Sequence, residues 1–234
     1  MATWDSADLL SRCRLLAARP TTDTATSDAQ WYQMLTEGQA HWTNVFSAQV
    51  PWVLMNPPTL LVSTDGGYTY PFPGCVMPLA VEVFDALDTG RILKPSAYWD
   101  PNGDYVWEGD HIRFTQGTAQ SFANGPYARY VSPPGAIDAS TQPSLVPAHC
   151  RLLLVYRAVA IWANRGGFRD PSPFYEMERR FWYGDPSSGD IGVLGALKMQ
   201  NPFYGGTAYQ ESVGGPLEGV STGAGYRVLR LGQG

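Results

Sequence analysis

The chain has few basic residues, few histidines and few cysteines, and each shortage excludes a class of function. Its 16 lysines and arginines stand against 21 aspartates and glutamates, for a formal net charge of −5. Proteins that grip nucleic acid draw affinity from a basic excess that neutralises phosphates, so this balance disfavours nucleic-acid binding. A surface past which DNA only slides would still tolerate a mild negative charge.

Cysteine is scarce, and its spacing matches no disulfide or metal framework. Cys13, Cys75 and Cys150 are odd in number and lack a Cys-x-x-Cys pair, which indicates buried free thiols in a reducing compartment. No apolar run reaches the roughly 20 residues of a membrane span, because the longest one, 152–163, is interrupted by Arg157. Since no signal-peptide pattern is present either, the sequence predicts a soluble protein made in the cytoplasm.

Patterns typical of catalytic and metal sites are missing. The three histidines, His41, His111 and His149, are not spaced as metal ligands or as partners of a nucleophile. The run 100–111 resembles a calcium loop but carries Tyr105 where that loop needs glycine. No glycine loop for binding phosphate occurs. The sequence therefore predicts no catalytic residue, no metal and no cofactor.

The carboxylate pairs and the tryptophans are better explained by solvation and packing than by chemistry. Asp85 with Asp88, and Glu176 with Glu178, are expected on solvated faces. Most tryptophans recur at helical or alternating spacing, which favours core packing over a sugar-binding platform. They are Trp31, Trp42, Trp52, Trp99, Trp107, Trp162 and Trp182.

Two apolar periods divide the chain into helical ends and a β-rich middle. A period of 3.6 residues predicts helices at 5–18 and 27–48, the second opened by a capping box at Ser27–Gln30. The same period returns in helices predicted at 147–165 and 171–183, the second of which carries apolar residues up to its closing turn.

The middle of the chain, at about 59–134, shows short alternating runs interrupted by prolines. The clearest pair of runs is 104–114, which predicts a hairpin with Glu108–Asp110 at its tip. The predicted fold is therefore α+β: a bundle of about four α-helices in residues 1–183, with one small antiparallel β-sheet inserted.

Residues 184–234 mix many glycines with isolated tyrosine, phenylalanine, leucine and valine. A plain linker lacks apolar anchors, and a folded domain has fewer glycines. We therefore expect an extended C-terminal arm that becomes ordered when it binds a partner.

Several segments occur in a familiar order. An opening helix, "DLLSRCRLLA", is followed by a capped helix, "SDAQWYQMLTEGQAHW", and by a β segment, "GGYTYPFPGCVMPLAVEVF". A returning helix, "LVPAHCRLLLVYRAVAIWANRGG", completes the set. Together they resemble the head-to-tail adaptors of tailed bacteriophages and related gene transfer agents, also called head-completion, neck or tail-tubular-A-like proteins. The resemblance covers residues 5–183.

The resemblance implies a structural virion protein without enzymatic activity. Such adaptors form a ring, usually of twelve copies, below the portal; the ring extends the DNA channel and is a docking platform for the next neck or tail protein. The implied partners are the portal protein, neighbouring copies and the downstream tail or neck protein, at the head–tail neck of the virion. DNA would pass without specific binding, and no membrane is involved. The residues expected to contact the portal or a neighbouring subunit are Ile191, Leu194, Leu197, Phe203, Tyr204, Tyr209, Tyr226, Val228, Leu229 and Leu231.

Two alternatives remain open at this point. A small phage-associated hydrolase or carbohydrate-binding accessory module would use Trp99, Trp107 and Glu108 first. Another ring protein of the virion, a tail terminator or stopper, would be smaller and dominated by β structure. Helices at both ends of the core favour the adaptor over that second alternative.

Overall fold

The protein, described here from a computed structural model, forms two compact units. A helical unit comprises residues 1–54 and 133–200, and a β unit lies within 55–132. The structure describes residues 4–19, 25–66, 68–71, 81–85, 92–96, 103–114, 126–141, 143, 145–166, 169–185 and 187–200. The predicted α+β class is confirmed: five helices and two small antiparallel sheets are present in these ranges.

The helical unit contains the five helices and two short 3-10 turns, at Pro51–Val53 and Ala148–Cys150. The first two helices precede the β unit in the chain, and the other three follow it. The helices are α1 (Ser6–Leu16), α2 (Asp28–Gln49), α3 (Leu152–Asn164), α4 (Ser172–Tyr183) and α5 (Gly192–Gln200).

The first two helices begin at polar capping residues. Asp5 accepts a hydrogen bond from the Asp8 amide at 2.8 Å and opens α1. The predicted capping box of α2 is confirmed, because the Ser27 amide donates to Gln30 Oε1 at 2.8 Å and the Gln30 amide donates to Ser27 Oγ at 3.3 Å. Each cap satisfies amides that no helical carbonyl can reach.

Helix α3 is the centre of the helical unit. It packs against α1, α2 and α4, and its sequence is apolar nearly all round, as expected of a helix enclosed by others. Its ring contact with α2 is a stack of Trp162 on Trp31, with centroids 5.8 Å apart. The buried residues of α3 are Leu153, Leu154, Val155, Ala158, Val159, Ala160, Trp162 and Ala163.

A second group of rings joins α2 to α4. The Trp182 ring lies 5.0 Å from Trp42 and 4.8 Å from Phe46, measured between centroids. All three side chains are buried. The predicted core role is thus confirmed for these tryptophans and for the Trp31–Trp162 stack, whereas Trp99 lies outside the described residues.

The β unit contains two sheets where the sequence predicted one. One sheet has the strand order β1-β7-β3-β4, and the other has the order β2-β6-β5, both antiparallel. The sequence does not reveal this division for two reasons. Each strand has only two to four residues and buries few side chains, and the first strand pairs with the last one, far away in the chain. The strands are β1 (Thr59–Leu60), β2 (Thr69–Pro71), β3 (Val81–Phe84), β4 (Ile92–Leu93), β5 (Tyr105–Glu108), β6 (His111–Phe114) and β7 (Tyr127–Tyr130).

The predicted hairpin is confirmed. Strands β5 and β6 pair with Glu108 opposite His111, and Gly109 takes a φ of +68° in the turn between them. In β3 the predicted alternation of buried and exposed residues is wrong, because Glu82 is only 4% exposed between two buried valines. Arg129 of the neighbouring β7 lies 3.6 Å from the Glu82 carboxylate and offsets its burial.

Candidate functional site

The first part of the predicted C-terminal arm is helical. Residues Gly192–Gln200 form α5 and pack against α4. Of the predicted partner-binding residues, Ile191 is 44% exposed, Leu194 is half-buried and Leu197 is only 3% exposed. Leu197 therefore stabilises the chain's own fold. The remaining seven, Phe203, Tyr204, Tyr209, Tyr226, Val228, Leu229 and Leu231, lie outside the described residues.

Two glycines form a tight corner between α4 and α5. Gly184 has a φ of +81°, and a Cβ there would lie 2.0 Å from the carbonyl oxygen of Asp190. Gly192 has a φ of +60°, and its Cβ would lie 2.3 Å from the Gly184 nitrogen. Asp185 closes the corner, because its carbonyl accepts from the Asp190 amide at 3.1 Å. The glycine richness at this point thus serves a close backbone approach.

Apolar side chains are exposed on α4, α5 and the corner between them. Met177 is 41% exposed and Tyr183 50%, while Ile191 and Met199 are 44% and 69% exposed. Met177 is exposed because the buried face of α4 is formed by residues four apart in sequence, Phe174, Glu178 and Trp182. Ile191 and Met199 belong to the first part of the predicted arm, so this exposed apolar surface joins that part to α4.

Glu178 is buried in the helical unit, which corrects the expectation of a solvated face. It is 3% exposed and shares one face of α4 with Phe174 and Trp182. The indole Nε1 of Trp42 donates to Glu178 Oε1 at 2.6 Å, and Arg157 Nε donates to the same oxygen at 2.8 Å. Sequence analysis missed the site, although the spacing of four from both buried aromatics was an available signal.

Glu178, Arg157, Trp42 and His41 form a cluster, and the pKa shifts of its ionisable groups follow mainly from burial. Desolvation raises the pKa of Glu178, and the charge of Arg157 with the hydrogen bonds from Arg157 and Trp42 opposes that shift. Burial, followed by the charge of Arg157, lowers the pKa of His41. Arg157 Nη2 lies 2.6 Å from His41 Nε2, an arrangement in which a neutral imidazole accepts from the guanidinium.

The cluster lines a cavity of about 320 Å³ together with Gln49, Tyr175 and Tyr183. Its hydrogen bonds run from α2 to α4 and from α3 to α2 and α4, so it fixes three helices relative to one another. By contrast, the Glu176 side chain is 42% exposed and pairs with Arg179 and Arg180 at 2.8 Å each, as expected of a solvated face.

A shallow groove runs between the first half of α2 and the segment 135–139. The Ile137 amide donates to Thr36 Oγ1 at 2.9 Å and anchors that segment to the helix. Its floor is apolar, since Ile137 is 2% exposed and Tyr32 is half-buried. We call it the α2 groove. It has a volume of about 580 Å³, and its lining is Asp28, Ala29, Tyr32, Gln33, Thr36, Ala136, Ile137, Asp138 and Ala139.

Two carboxylates, Asp28 and Asp138, lie on the rim of the α2 groove. Hydrogen bonds from Ser140 and Thr141 lower the pKa of Asp138 to about 2, so it stays charged. Burial raises the pKa of Tyr32, and Asp28, Asp138 and then Asp5 raise it further. Arg14 donates a hydrogen bond to Asp28 and offsets part of this charge. The groove therefore combines an apolar floor with a negative rim.

The residues of the hydrolase alternative lie on the β5–β6 hairpin or outside the description. Trp107 packs against the core of the β unit. Across the hairpin, Glu108 Oε2 lies 3.5 Å from His111 Nε2, and Glu108 Oε1 lies 3.6 Å from Arg113 Nη1. Asp85 is half-buried at the end of β3, and Asp88 and Trp99 lie outside the described residues.

The cysteines that the structure describes agree with the prediction of free, buried thiols. Cys13 and Cys150 are both fully buried and unpaired by disulfide. Burial raises the pKa of the Cys150 thiol to about 12, which disfavours the reactive thiolate. Cys75 lies outside the described residues.

Within the described ranges, no group of three or more histidine, cysteine or acidic side chains is arranged to hold a metal ion. Of the helices described above, none is long and apolar enough to cross a membrane. No protein-family model matches the chain, and no curated protein is significantly similar to it.

Proposed function

We propose that this chain is a structural virion protein, a head-to-tail adaptor whose copies form a ring below the portal. The observation that carries the proposal is the topology: helices from both ends of the chain build one unit, and a β unit is inserted between α2 and α3. That is the arrangement implied by the resemblance in residues 5–183.

The helical unit suits a part that keeps its shape under force. Its central helix contacts three others, and the Arg157–Glu178 pair with Trp42 joins α2, α3 and α4. A well-packed interior transmits force with little deformation. A ring subunit that must hold its shape between the portal and a tail protein needs this property.

The charge of the chain fits passage of DNA. With a net charge of −5, a ring of such subunits carries a negative field, which repels the phosphate backbone. Each lysine or arginine contact to phosphate would add affinity that the moving duplex must overcome. In this proposal DNA passes through the ring without specific binding.

The partner-binding arm begins after α5 in this proposal. Because Leu197 is buried and α5 packs on α4, residues up to Gln200 belong to the folded helical unit. The 34 residues 201–234 then form the arm that contacts the portal or a neighbouring subunit. Phe203, Tyr204 and Tyr209 are its first apolar anchors.

The test is recovery of a complex from cells that make the protein's own phage. The tagged full-length chain is purified, its native mass is measured, and co-purifying proteins are identified. We expect a ring of about twelve copies bound to a portal. A chain that ends at Gln200 should keep the helical content of the folded units and lose the portal.

A matched control is a full-length chain with Glu211→Gln and Glu218→Gln, which keeps the arm and its apolar residues. It should recover the portal as the natural chain does. Recovery of a monomer with no virion partner, above all one that binds or cleaves a glycan, would overturn the proposal in favour of the hydrolase or carbohydrate-binding class.

A further inference from the structure

We propose that the α2 groove receives the arm segment Tyr226–Leu231 of a neighbouring copy. The proposal deepens the adaptor function by naming both sides of one contact between subunits, and its choice of a neighbouring copy rests on that function. The groove is a described surface of the helical unit, and the segment is the β-prone end of the arm.

The groove has the shape that an extended peptide needs. Three exposed alanines, Ala29, Ala136 and Ala139, border it without filling it. Tyr32 and Ile137 supply an apolar floor on which side chains can pack. The hydrogen bond from the Ile137 amide to Thr36 holds the two walls together, so the groove exists before anything binds.

Charge complementarity selects the segment. Between Gly219 and Gly234 the charged side chains are Arg227 and Arg230, which make this stretch basic in a chain of net charge −5. The rim of the groove carries Asp138 and Asp28, and Arg14 offsets only part of the Asp28 charge. An arginine beside a carboxylate gains charge-assisted hydrogen bonds and fixes the register of the peptide.

The alternation of the segment fits a floor with a charged rim. In an extended strand, successive side chains point to opposite faces. Tyr226, Val228 and Arg230 then share one face, and Arg227, Leu229 and Leu231 share the other. Each face therefore offers two apolar side chains for the floor and one arginine for the rim.

The residues between α5 and the segment give the segment a long reach. Residues 201–225 separate α5 from the segment. A glycine-rich chain of this length has a root-mean-square span of about 25–30 Å, and fully extended it reaches about 80–90 Å. Repeated head-to-tail contacts of an arm with the next subunit's groove are the heterologous kind that closes rings.

The test uses a fluorescent peptide of residues 219–234 and a full-length receptor chain. The receptor carries Arg227→Glu and Arg230→Glu, so that its own arm does not compete. We expect saturable binding that weakens with salt. Ala29→Arg on the rim should weaken it tenfold or more, whereas Ala40→Arg, exposed farther along α2, should leave it unchanged.

Exchanging the charges of peptide and groove tests whether they pair with each other. A peptide with Arg227→Glu and Arg230→Glu should bind poorly to the receptor and regain affinity for the receptor that also carries Ala29→Arg. Absence of peptide binding, or equal binding to the Ala29→Arg and Ala40→Arg receptors, would overturn the proposal. Cross-links between arm and groove that form only within one chain would overturn the neighbouring-copy assignment. A groove that binds the peptide while the chain recovers no portal would refute the adaptor function alone.

Discussion

The helical unit and the β unit are stable for different reasons. The helical unit encloses α3 among other helices and buries tryptophans, a charged pair and two thiols. The β unit divides its strands between two sheets, and each strand has only two to four residues. Among the described residues of the β unit, ten buried side chains from both sheets form one core cluster.

The two units should differ in how well they tolerate the loss of a buried side chain. Large buried rings make the helical unit sensitive to loss of volume, because a cavity in a close-packed interior does not refill. In the β unit, short strands depend on turns and cross-strand pairs, so loss of one side chain there should cost less.

Trp182→Ala should be the most damaging change. It removes a ring that is 1% exposed and packs on Trp42 and Phe46, at a cost of about 4 kcal/mol in the free energy of unfolding. Ile112→Ala in the β unit should cost about 3 kcal/mol. Hydrogen exchange read peptide by peptide should rise in α2–α4 for the first variant and in β5–β6 for the second. Equal increases everywhere for both variants would contradict the division into two units.

Glu178→Ala should cost about 3 kcal/mol, because it leaves the Arg157 guanidinium largely buried without its carboxylate. The double variant Arg157→Met, Glu178→Leu should recover most of that loss, since a buried pair replaced by apolar groups of similar size is often close to neutral. Urea unfolding of the two variants measures the loss of stability in Glu178→Ala and its recovery in the double variant. A double variant as unstable as Glu178→Ala would show that the pair contributes more than its own desolvation.

Gly184→Ala should destabilise the α4–α5 corner by about 2 kcal/mol or more, through both its φ of +81° and its clash with Asp190. Gly189→Ala is the matched control: φ is +76°, but a Cβ would meet nothing within 4 Å, so we expect about 1 kcal/mol. Limited proteolysis between α4 and α5 and thermal unfolding report the two effects. Equal losses of stability in the two variants would mean that the close approach of Gly184 to Asp190 does not contribute.

His41 should give the smallest effect, a pH dependence. Because its pKa is lowered from 6.5 in the folded chain, the unfolded chain binds the proton more readily. The stability that this provides is present above pH 6.5 and is lost as the pH falls through the folded value. The raised pKa of Glu178 acts in the opposite direction, with stability gained as the pH falls towards its usual value. His41→Gln should therefore flatten the acid side of the melting-temperature profile relative to the natural chain, and an unchanged profile would contradict this account.

Local signals in the sequence predicted local structure. The Ser27–Gln30 box placed the start of α2, and the Glu108–His111 turn placed the β5–β6 hairpin, because both features lie within four residues. The pairing of β1 with β7 joins Thr59 to Ala128 and left no such trace. The division into two sheets follows from distant pairings of this kind.

The features of the candidate sites depended on context that a sequence does not display. Glutamate is usually a surface residue, so the sequence around Glu178 does not indicate burial. Its burial depends on hydrogen bonds from Arg157 and Trp42, which are more than twenty residues away in sequence. Helix α5 was missed because Gly192 and Gly195 are poor helix formers, and packing on α4 overrides that propensity. The α2 groove is formed by two segments about a hundred residues apart.

The central position of α3 has a consequence for the order of synthesis. About 100 residues separate the end of α2 from the start of α3, a delay of about 5–20 s at ordinary rates of translation. During that delay α1 and α2 have no partner for the faces that α3 will cover, while the β5–β6 hairpin can already close. The helical unit can therefore close only after the β unit has been synthesised, and until then the nascent chain exposes the apolar faces of α1 and α2 that α3 will cover.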